Sequence, residues 1–421
     1  MSGTSETLRN TLPSVPPVHV LGGFQTDFAR NLAREGREIA DLFRDVLEGT
    51  LDAVSVDASS IETIHVGNAF GELFAGQAHL GAMAATVDER LMGVPASRHE
   101  AACASGSAAV LGAMSDIEAG RYACALVIGV EQERNVPGDV AARHMGSAAW
   151  IGHEGEGARY LWPHMFSRIQ EVYEERDGLR YEHLAAIARK SFDNARGNPR
   201  AQGRGWRFEA SAFLEDDEEN PIVEGRVRRR DCSQVTDGAA AVVLCSAAFA
   251  DTWARRSGRA AARILGWGHR TSSLSLARKL ELGRSEAYLF PHVRRTITDA
   301  LGRAGLADAS ALGGVEVHDC FSVTEYLAID HLGLAPPRRA FEAIESGAVA
   351  RTGKTPINPS GGLIGGGHPV GATGVRMLLD AEKQVTGRAG DCQVAGARTF
   401  GTLNIGGSAA TAVSFVVGAP S

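Results

Sequence analysis

Short apolar runs alternate with amphipathic segments over the first third of the chain. Val18–Leu21 and Ala125–Val130 are apolar runs of strand length. Between Glu38 and Val54 the apolar residues recur at helical spacing, at Ile39, Leu42, Val46 and Leu51. Such spacing predicts a helix that packs on a sheet. The region from His19 to Glu133 is therefore predicted to be α/β.

The pattern changes between Pro137 and Gly225, a segment rich in Arg, Glu, His and Trp, with a predicted helix at Tyr181–Asn198. Strand-like character returns at Ala239–Cys245, which predicts that the middle segment is an insertion. We expect a loose N-terminus at residues 1–15, an N-terminal half at 16–136 plus 226–284, an inserted loop domain at 137–225, and a C-terminal half at 285–421.

The C-terminal half repeats the order seen around Cys103, where a helix opens and is followed by glycine and a strand. Gly367–Gly371 opens a predicted helix that runs through Ala381, followed by Gly387 and a predicted strand near Gln393–Ala395. Two similar halves that meet face to face would place the two loops close together. The alternation of strands and helices that is common to α/β proteins also produces such a similarity. An internal repeat and a chance similarity therefore both stay open.

Composition narrows the function classes. A length of 421 residues predicts two or three domains at roughly 150 residues each. The net charge of −7 argues against chain-wide attraction to nucleic acid or to an anionic membrane. No apolar run approaches the ~20 residues needed to span a bilayer, and the N-terminus lacks the pattern of a secretory signal. We therefore expect a soluble, cytoplasmic protein with no nucleic-acid partner and no membrane span.

The six cysteines have no paired CxxC spacing and resemble neither a disulfide framework nor a zinc site. They are expected to be free thiols. Glycine is over-represented, with 50 residues that cluster in the C-terminal quarter. These glycines favour loops in which the backbone approaches a ligand closely.

Cys103 lies among small residues at a predicted strand-to-helix turn, Glu100–Ala109. A helix N-terminus lowers the pKa of a nearby thiol and so favours the thiolate, as a nucleophile requires. The alternative is a small, buried cysteine in a tightly packed turn.

His368 lies in the glycine-rich segment Asn358–Gly374, and the proline after it fixes the start of a helix. An imidazole held there is suited to taking a thiol proton, although a histidine among glycines is also a common structural turn residue. His318, Asp319 and Cys320 follow a short strand that begins at Val315. Active sites of α/β folds usually lie at such strand ends. The alternative for these three is a satisfied polar turn with a core cysteine.

Taken together, the segments around Cys103, His318–Phe321 and Asn358–Gly374 resemble the thiolases, in particular the sterol-carrier-protein-2-type thiolases with their His-Asp-Cys-Phe motif. The resemblance extends from about residue 18 to about residue 417 and includes Asp237–Ala239 and Asn404–Ser408. It implies the thiolase fold, with two similar βαβαβαββ halves in a five-layered α-β-α-β-α arrangement and an inserted loop domain.

The resemblance also implies roles for individual residues. Cys103 would be the acylated nucleophile and His368 its activator, while His318 and His368 would hold the oxygen of the enolised thioester. The N–H groups of Cys103 and Gly406 would form a second oxyanion hole. Many thiolases have an acid/base cysteine in a C-terminal Cys-x-Gly motif, but that position reads Asn404-Ile-Gly here. In the sterol-carrier-protein-2-type branch the cysteine of His-Asp-Cys-Phe takes this role, so the resemblance implies Cys320 as the acid/base.

The implied enzyme is an acyltransferase of the acetyl-CoA acetyltransferase type in lipid metabolism. It would cleave 3-oxoacyl-CoA with coenzyme A, or run the reverse Claisen condensation, without a metal or redox cofactor. Alternatives are a synthase with a non-CoA acceptor and a non-catalytic acyl-CoA-binding subunit. A homodimer or homotetramer is expected. Arginines of the middle segment are candidates for binding the phosphates of coenzyme A: Arg196, Arg200, Arg204, Arg207, Arg226 and Arg228–Arg230, with Trp206 for the adenine.

Overall fold

The computed structural model describes residues 16–420, so the predicted loose N-terminus lies outside the described residues. The strands are Val18–Gln25 (β1), Thr63–Gly67 (β2), Ala96–His99 (β3), Cys124–Glu131 (β4), Ile222–Glu224 (β5), Val227–Arg228 (β6), Gly238–Ser246 (β7), Ala262–Thr271 (β8), Val315–Val317 (β9), Thr399–Gly406 (β10) and Thr411–Gly418 (β11). The α-helices are Ile39–Val54 (α1), Gly71–Phe74 (α2), Met83–Val87 (α3), Ser105–Glu118 (α4), Gly138–Gly146 (α5), Leu161–Asp177 (α6), Tyr181–Ala195 (α7), Ala247–Ser257 (α8), Leu276–Gly283 (α9), Pro291–Arg303 (α10), Ser322–Leu332 (α11), Phe341–Glu345 (α12) and Thr373–Val385 (α13). Within residues 16–420, none of these helices combines the length and apolar character that crossing a bilayer requires.

Among residues 16–420, nine strands form one mixed sheet in the order β3-β2-β4-β7-β1-β8-β11-β10-β9. In the N-terminal part, β2 runs parallel to β3 and β4, whereas β7 is antiparallel to β4 and β1. In the C-terminal part, β11 is antiparallel to β8 and β10, and β9 is parallel to β10. In the described part of the chain, the two parts of the sheet are joined by three residue pairs between β1 and β8. The sheet therefore consists of two halves that meet along a short edge.

Helices α4 and α13 contact each other between the two halves of the sheet. On the outer side of the N-terminal half lies α1, and on the outer side of the C-terminal half lies α10. Side chains of β4 alternate accordingly, with Leu126 in the outer core and Val127 in the central core around α4 and α13. The layers thus run helix, sheet, helix, sheet, helix, which confirms the predicted five-layered α/β fold.

Most predicted elements are present, but the strand predicted near Gln393–Ala395 is wrong. That segment is a turn, and the strand begins at Thr399. The side chain of Gln384 explains the turn, because its Oε1 accepts the Val394 N–H at 2.8 Å and its Nε2 donates to the Cys392 carbonyl at 2.7 Å. A side-chain amide thus satisfies backbone groups that a strand would pair with a neighbour. The helix predicted at Tyr181–Asn198 ends three residues earlier, at Ala195.

The middle segment packs on the C-terminal half. Its helices α6 and α7 both contact α11, and Phe166 of α6 packs against Phe321 with ring centroids 4.6 Å apart. Strand β8 pairs with β11 along eight residues, so it completes the C-terminal half of the sheet. The domain boundaries drawn from the sequence stay predictions. As expected, the six cysteines are free thiols, and four of them are buried.

Candidate active site

A fixed turn presents Cys103 just before α4. Ala102 has a φ of +52°, a left-handed conformation that non-glycine residues rarely adopt. The Ser105 hydroxyl accepts the Ala101 N–H at 2.9 Å and donates to the Ala102 carbonyl at 2.6 Å. Gly406 lies against this turn, since a Cβ there would come within 2.3 Å of the Ala101 carbonyl oxygen. Only glycine allows β10 to approach the Cys103 turn this closely.

His368 is held by hydrogen bonds at both its backbone and its ring. Its N–H donates to the Thr236 hydroxyl at 2.9 Å, and its Nδ1 lies 2.7 Å from the Thr373 hydroxyl. Thr373 uses its only hydroxyl proton on the Pro369 carbonyl, at 3.0 Å. With the Thr373 proton placed on the Pro369 carbonyl, the hydroxyl oxygen accepts the proton of Nδ1, and Nε2 is assigned as unprotonated.

The thiol and two imidazoles form one cluster. The Sγ of Cys103 and one nitrogen from each of His318 and His368 all lie within 4.8 Å of one another. The two imidazole rings are nearly perpendicular, at 83°, with centroids 5.1 Å apart. Burial lowers the pKa of His318 to about 3 and that of His368 well below its usual value. Both rings are therefore neutral near pH 7, so either can accept a proton.

The expectation that a helix N-terminus lowers the Cys103 pKa is wrong. Burial raises the pKa of this thiol to about 12. The cost of moving a thiolate out of water thus outweighs the favourable hydrogen bond from the Gly407 N–H. At rest the cluster is a neutral thiol between neutral imidazoles.

Cys320 and Asp319 lie beyond the end of β9. The Cys320 Sγ is 3.5 Å from the Thr324 hydroxyl, and burial raises its pKa well above the usual value, with the nearby Cys103 contributing. The Asp319 carboxylate accepts the Leu363 N–H at 2.6 Å and the Ile364 N–H at 3.4 Å. Asp319 is therefore a positioning residue for the glycine-rich loop before His368.

Cys103, Cys320 and His368 line one cavity of about 370 Å³. A ring nitrogen of His318 lies within 4.8 Å of the Cys103 Sγ and of a His368 ring nitrogen. Most of the wall is apolar and aromatic: Phe70, Met145, Trp162, Phe166, Phe321 and Val370. The size and lining suit the acyl part of a ligand.

Sequence reasoning missed two residues of this site. Glu133 lines the cavity, and its position just beyond the end of β4 was the available signal. Thr373, which sets the tautomer of His368, had no signal beyond its place in the glycine-rich segment. Asn404 was noted in the sequence as a departure, and it is buried with its Nδ2 donating to the Ser107 hydroxyl at 3.0 Å.

Most of the arginines proposed for coenzyme A have partners within the protein. Arg204 pairs with Asp27 at 2.7 Å, and Arg228 pairs with Asp217 at 2.8 Å. Arg229 alone among the candidates lines the cavity that holds Cys103. The arginine-rich composition therefore reflects internal ion pairs more than an open phosphate-binding surface.

The structure thus places a cysteine and two histidines in one cluster at the junction of two α/β halves. Two family models match: "Thiolase, N-terminal domain" over residues 18–203 and "Thiolase C-terminal domain-like" over residues 276–419. The chain belongs to the thiolase family and is a thiolase-type acyltransferase.

Its relatives include acetyl-CoA acetyltransferase of Methanothermobacter thermautotrophicus, 31% identical over 94% of this chain and 97% of the relative. Human sterol carrier protein 2 is 28% identical over 96% of this chain and 72% of the relative, consistent with the branch indicated by the His-Asp-Cys-Phe motif. Solved structures with the same fold include an Ltp2-ChsH2(DUF35) aldolase, with a TM-score of 0.77, 18% identity and coverage of 97% and 99%. Human mitochondrial 3-ketoacyl-CoA thiolase has a TM-score of 0.70, 16% identity and coverage of 97% and 100%.

Proposed function

We propose that the protein transfers acyl groups between coenzyme A thioesters through an acyl-Cys103 intermediate, either by thiolysis of 3-oxoacyl-CoA or by the reverse condensation. The observation that carries this proposal is the cluster of Cys103, His318 and His368 within 4.8 Å, beside the Cys320 thiol in the same cavity. The name of the archaeal relative, acetyl-CoA acetyltransferase, supports coenzyme A thioesters as substrates.

In thiolysis, the Nε2 of His368 takes the Cys103 proton, and the sulfur attacks the 3-oxo carbon of the substrate. The N–H groups of Cys103 and Gly406 stabilise the resulting oxyanion. The bond between the second and third acyl carbons then breaks, which leaves the acyl group on Cys103 and an enolate of acetyl-CoA. Because Nδ1 is committed to Thr373, the acquired proton on Nε2 is available to the enolate oxygen.

Cys320 completes the proton path. Its raised pKa keeps the thiol protonated, so it donates that proton to the enolate carbon and acetyl-CoA leaves. The Cys320 thiolate then takes the proton of the incoming coenzyme A, whose sulfur attacks the acyl-Cys103 carbonyl. Release of acyl-CoA returns the Cys103 sulfur, which recovers its proton from His368. All protons balance, and the two thiols act at different steps.

The proposed reaction uses coenzyme A thioesters as substrates and no resident cofactor, since the chain's own thiols, imidazoles and N–H groups supply every step. Arg229, at the cavity, is the arginine best placed for a coenzyme A phosphate. The use of 3-oxoacyl-CoA would place the enzyme in lipid metabolism.

We further propose a cytoplasmic homo-oligomer. Strand β3 ends the sheet, and its Ala96 and Ser97 are exposed, so a second copy can extend the sheet there. The free state of all six cysteines supports a reducing compartment. Light scattering on the purified protein and fractionation of cells test these two proposals.

A panel of 3-oxoacyl-CoA substrates of increasing chain length, assayed for thiolysis with coenzyme A, tests the function. Wild type and the control Cys392→Ala, which removes a buried thiol outside the cavity, should cleave part of the panel, whereas Cys103→Ala should not. Transfer to a non-CoA acceptor without thiolysis would indicate the synthase instead. Tight coenzyme A binding without turnover of any thioester would indicate a non-catalytic subunit.

A further inference from the structure

Glu133 is a buried carboxyl that faces the catalytic cavity and has no step in the reaction above. It follows the end of β4 by two residues, is 1% exposed and lines the same cavity as Cys103 and His368. Its Oε1 accepts the Val370 N–H at 3.3 Å. Its Oε2 is buried and has no hydrogen-bond partner among residues 16–420.

The neighbouring Glu131 carboxylate is fully used by the protein. Its oxygens accept hydrogen bonds from the Asn68 side chain and from the N–H groups of Ala69, Phe70 and Gly371. Glu131 is therefore a structural brace between β4 and the segment after His368. Glu133 differs because its Oε2 has no hydrogen-bond partner among residues 16–420, although its carboxyl also lies near the Thr236 N–H.

The surroundings of Glu133 favour its protonated form. Burial and the adjacent Glu131 carboxyl raise its pKa well above the usual value, and Asp237 contributes in the same direction. A protonated carboxyl presents one O–H donor and one acceptor. Glu133 is thus a neutral hydrogen-bonding group in a cavity whose walls are otherwise mostly apolar.

A buried polar atom without a partner is costly, and a ligand that supplies the partner recovers that cost. The apolar wall of the cavity would suffice to bind an unsubstituted hydrocarbon chain, and such a chain would not need the Glu133 carboxyl. An oxygen on the acyl chain would meet the unpartnered end of Glu133, whereas a hydrocarbon chain would leave it unsatisfied.

We propose that Glu133 determines specificity, by a hydrogen bond between its carboxyl and an oxygen function on the acyl chain attached to Cys103. This inference rests on the proposed acyl transfer and names the substrate class: acyl thioesters that carry a hydroxyl or carbonyl group on the chain. Glu133 acts on the bound acyl group, and the proton transfers remain with His368 and Cys320.

The test compares hexanoyl-CoA with its monohydroxylated isomers, each offered alone, and measures the rate constant of Cys103 acylation by intact-protein mass spectrometry. For at least one isomer, wild type should load the hydroxylated chain about 10- to 100-fold faster than hexanoyl. Glu133→Met, which removes hydrogen bonding at similar volume, should bring this ratio close to one. Glu133→Gln, which keeps a donor and an acceptor, should restore most of it.

Other outcomes overturn the inference in distinguishable ways. Equal loading of all chains by wild type removes the specificity role and leaves acyl transfer standing. An equal loss of loading for every chain in Glu133→Met, with the ratio unchanged, shows a structural role only. If wild type forms no Cys103 adduct with any thioester, the proposed function fails, and this inference fails with it.

Discussion

The alkylation of Cys103 by iodoacetamide should rise with pH through the neutral range without levelling off. Burial raises the pKa of this thiol to about 12, so each pH unit below that value changes the thiolate population about tenfold. The gain between pH 6 and pH 9 should be roughly a thousandfold, whereas an ordinary thiol of pKa about 8.5 would begin to level off near that value.

His368 does not change this expectation. Its pKa lies well below the usual value, so the ring is neutral throughout the range and its own titration adds no step. Transfer of the Cys103 proton to His368 gives a small population of thiolate–imidazolium pairs, and this population does not depend on pH. Once the pH is above the His368 pKa, loss of the Cys103 proton to water gives a larger population of thiolate than this transfer does.

The assay follows the Cys103 peptide by mass spectrometry, which separates it from Cys232, the other partly exposed cysteine. Cys103→Ala supplies the blank. A plateau below pH 8 would refute the reasoning, because it would show that a thiolate–imidazolium pair already exists in the free enzyme and that the dipole of α4 outweighs burial.

Three further predictions concern the neighbours of Cys103. Cys320→Ser should still become acylated at Cys103, but steady-state thiolysis should fall about 10²- to 10⁴-fold, and normal turnover would move the acid/base role elsewhere. Thr373→Val should slow acylation about 5- to 150-fold because the Nδ1 of His368 loses its hydrogen-bond acceptor. Thr373→Ser, which keeps the hydroxyl, should acylate at a rate close to wild type. An equal loss of acylation rate in both variants would assign the effect to packing. Zinc should inhibit by joining Cys103, His318 and His368, and a chelator should leave activity unchanged. Loss of activity in chelator with recovery in zinc would contradict a cofactor-free reaction.

Local sequence patterns predicted much of the fold. The apolar spacing from Ile39 to Leu51 predicted α1, because a helix on a sheet needs one apolar face and this one buries those positions. The strand misplaced at Gln393–Ala395 shows the limit, since the Gln384 side chain that fixes this turn lies on the preceding helix. Apolar character alone does not reveal such a partner.

The candidate site was likewise predictable from the sequence only in part. Motifs around Cys103, His318, Cys320 and His368 predicted a common site. In the structure three of these residues line one cavity and His318 lies close to Cys103 and His368, while their individual roles stay predictions. The Cys103 pKa was not predictable, because it depends on burial by segments distant in sequence.

Glu133 escaped prediction for a related reason. Its significance lies in an oxygen left without a partner at a cavity wall, and the sequence shows neither the wall nor the missing partner.

The acyl-enzyme itself tests the central claim most directly. Purified protein is exposed to acetyl-CoA, acid-quenched and weighed by intact-mass spectrometry, and the modified peptide is then mapped. The account predicts one acetyl group per chain, located on Cys103, present in the Cys392→Ala control and absent in Cys103→Ala. It also predicts that added coenzyme A removes the group. Wild type without an adduct, or an adduct retained in Cys103→Ala, would contradict acyl transfer through Cys103.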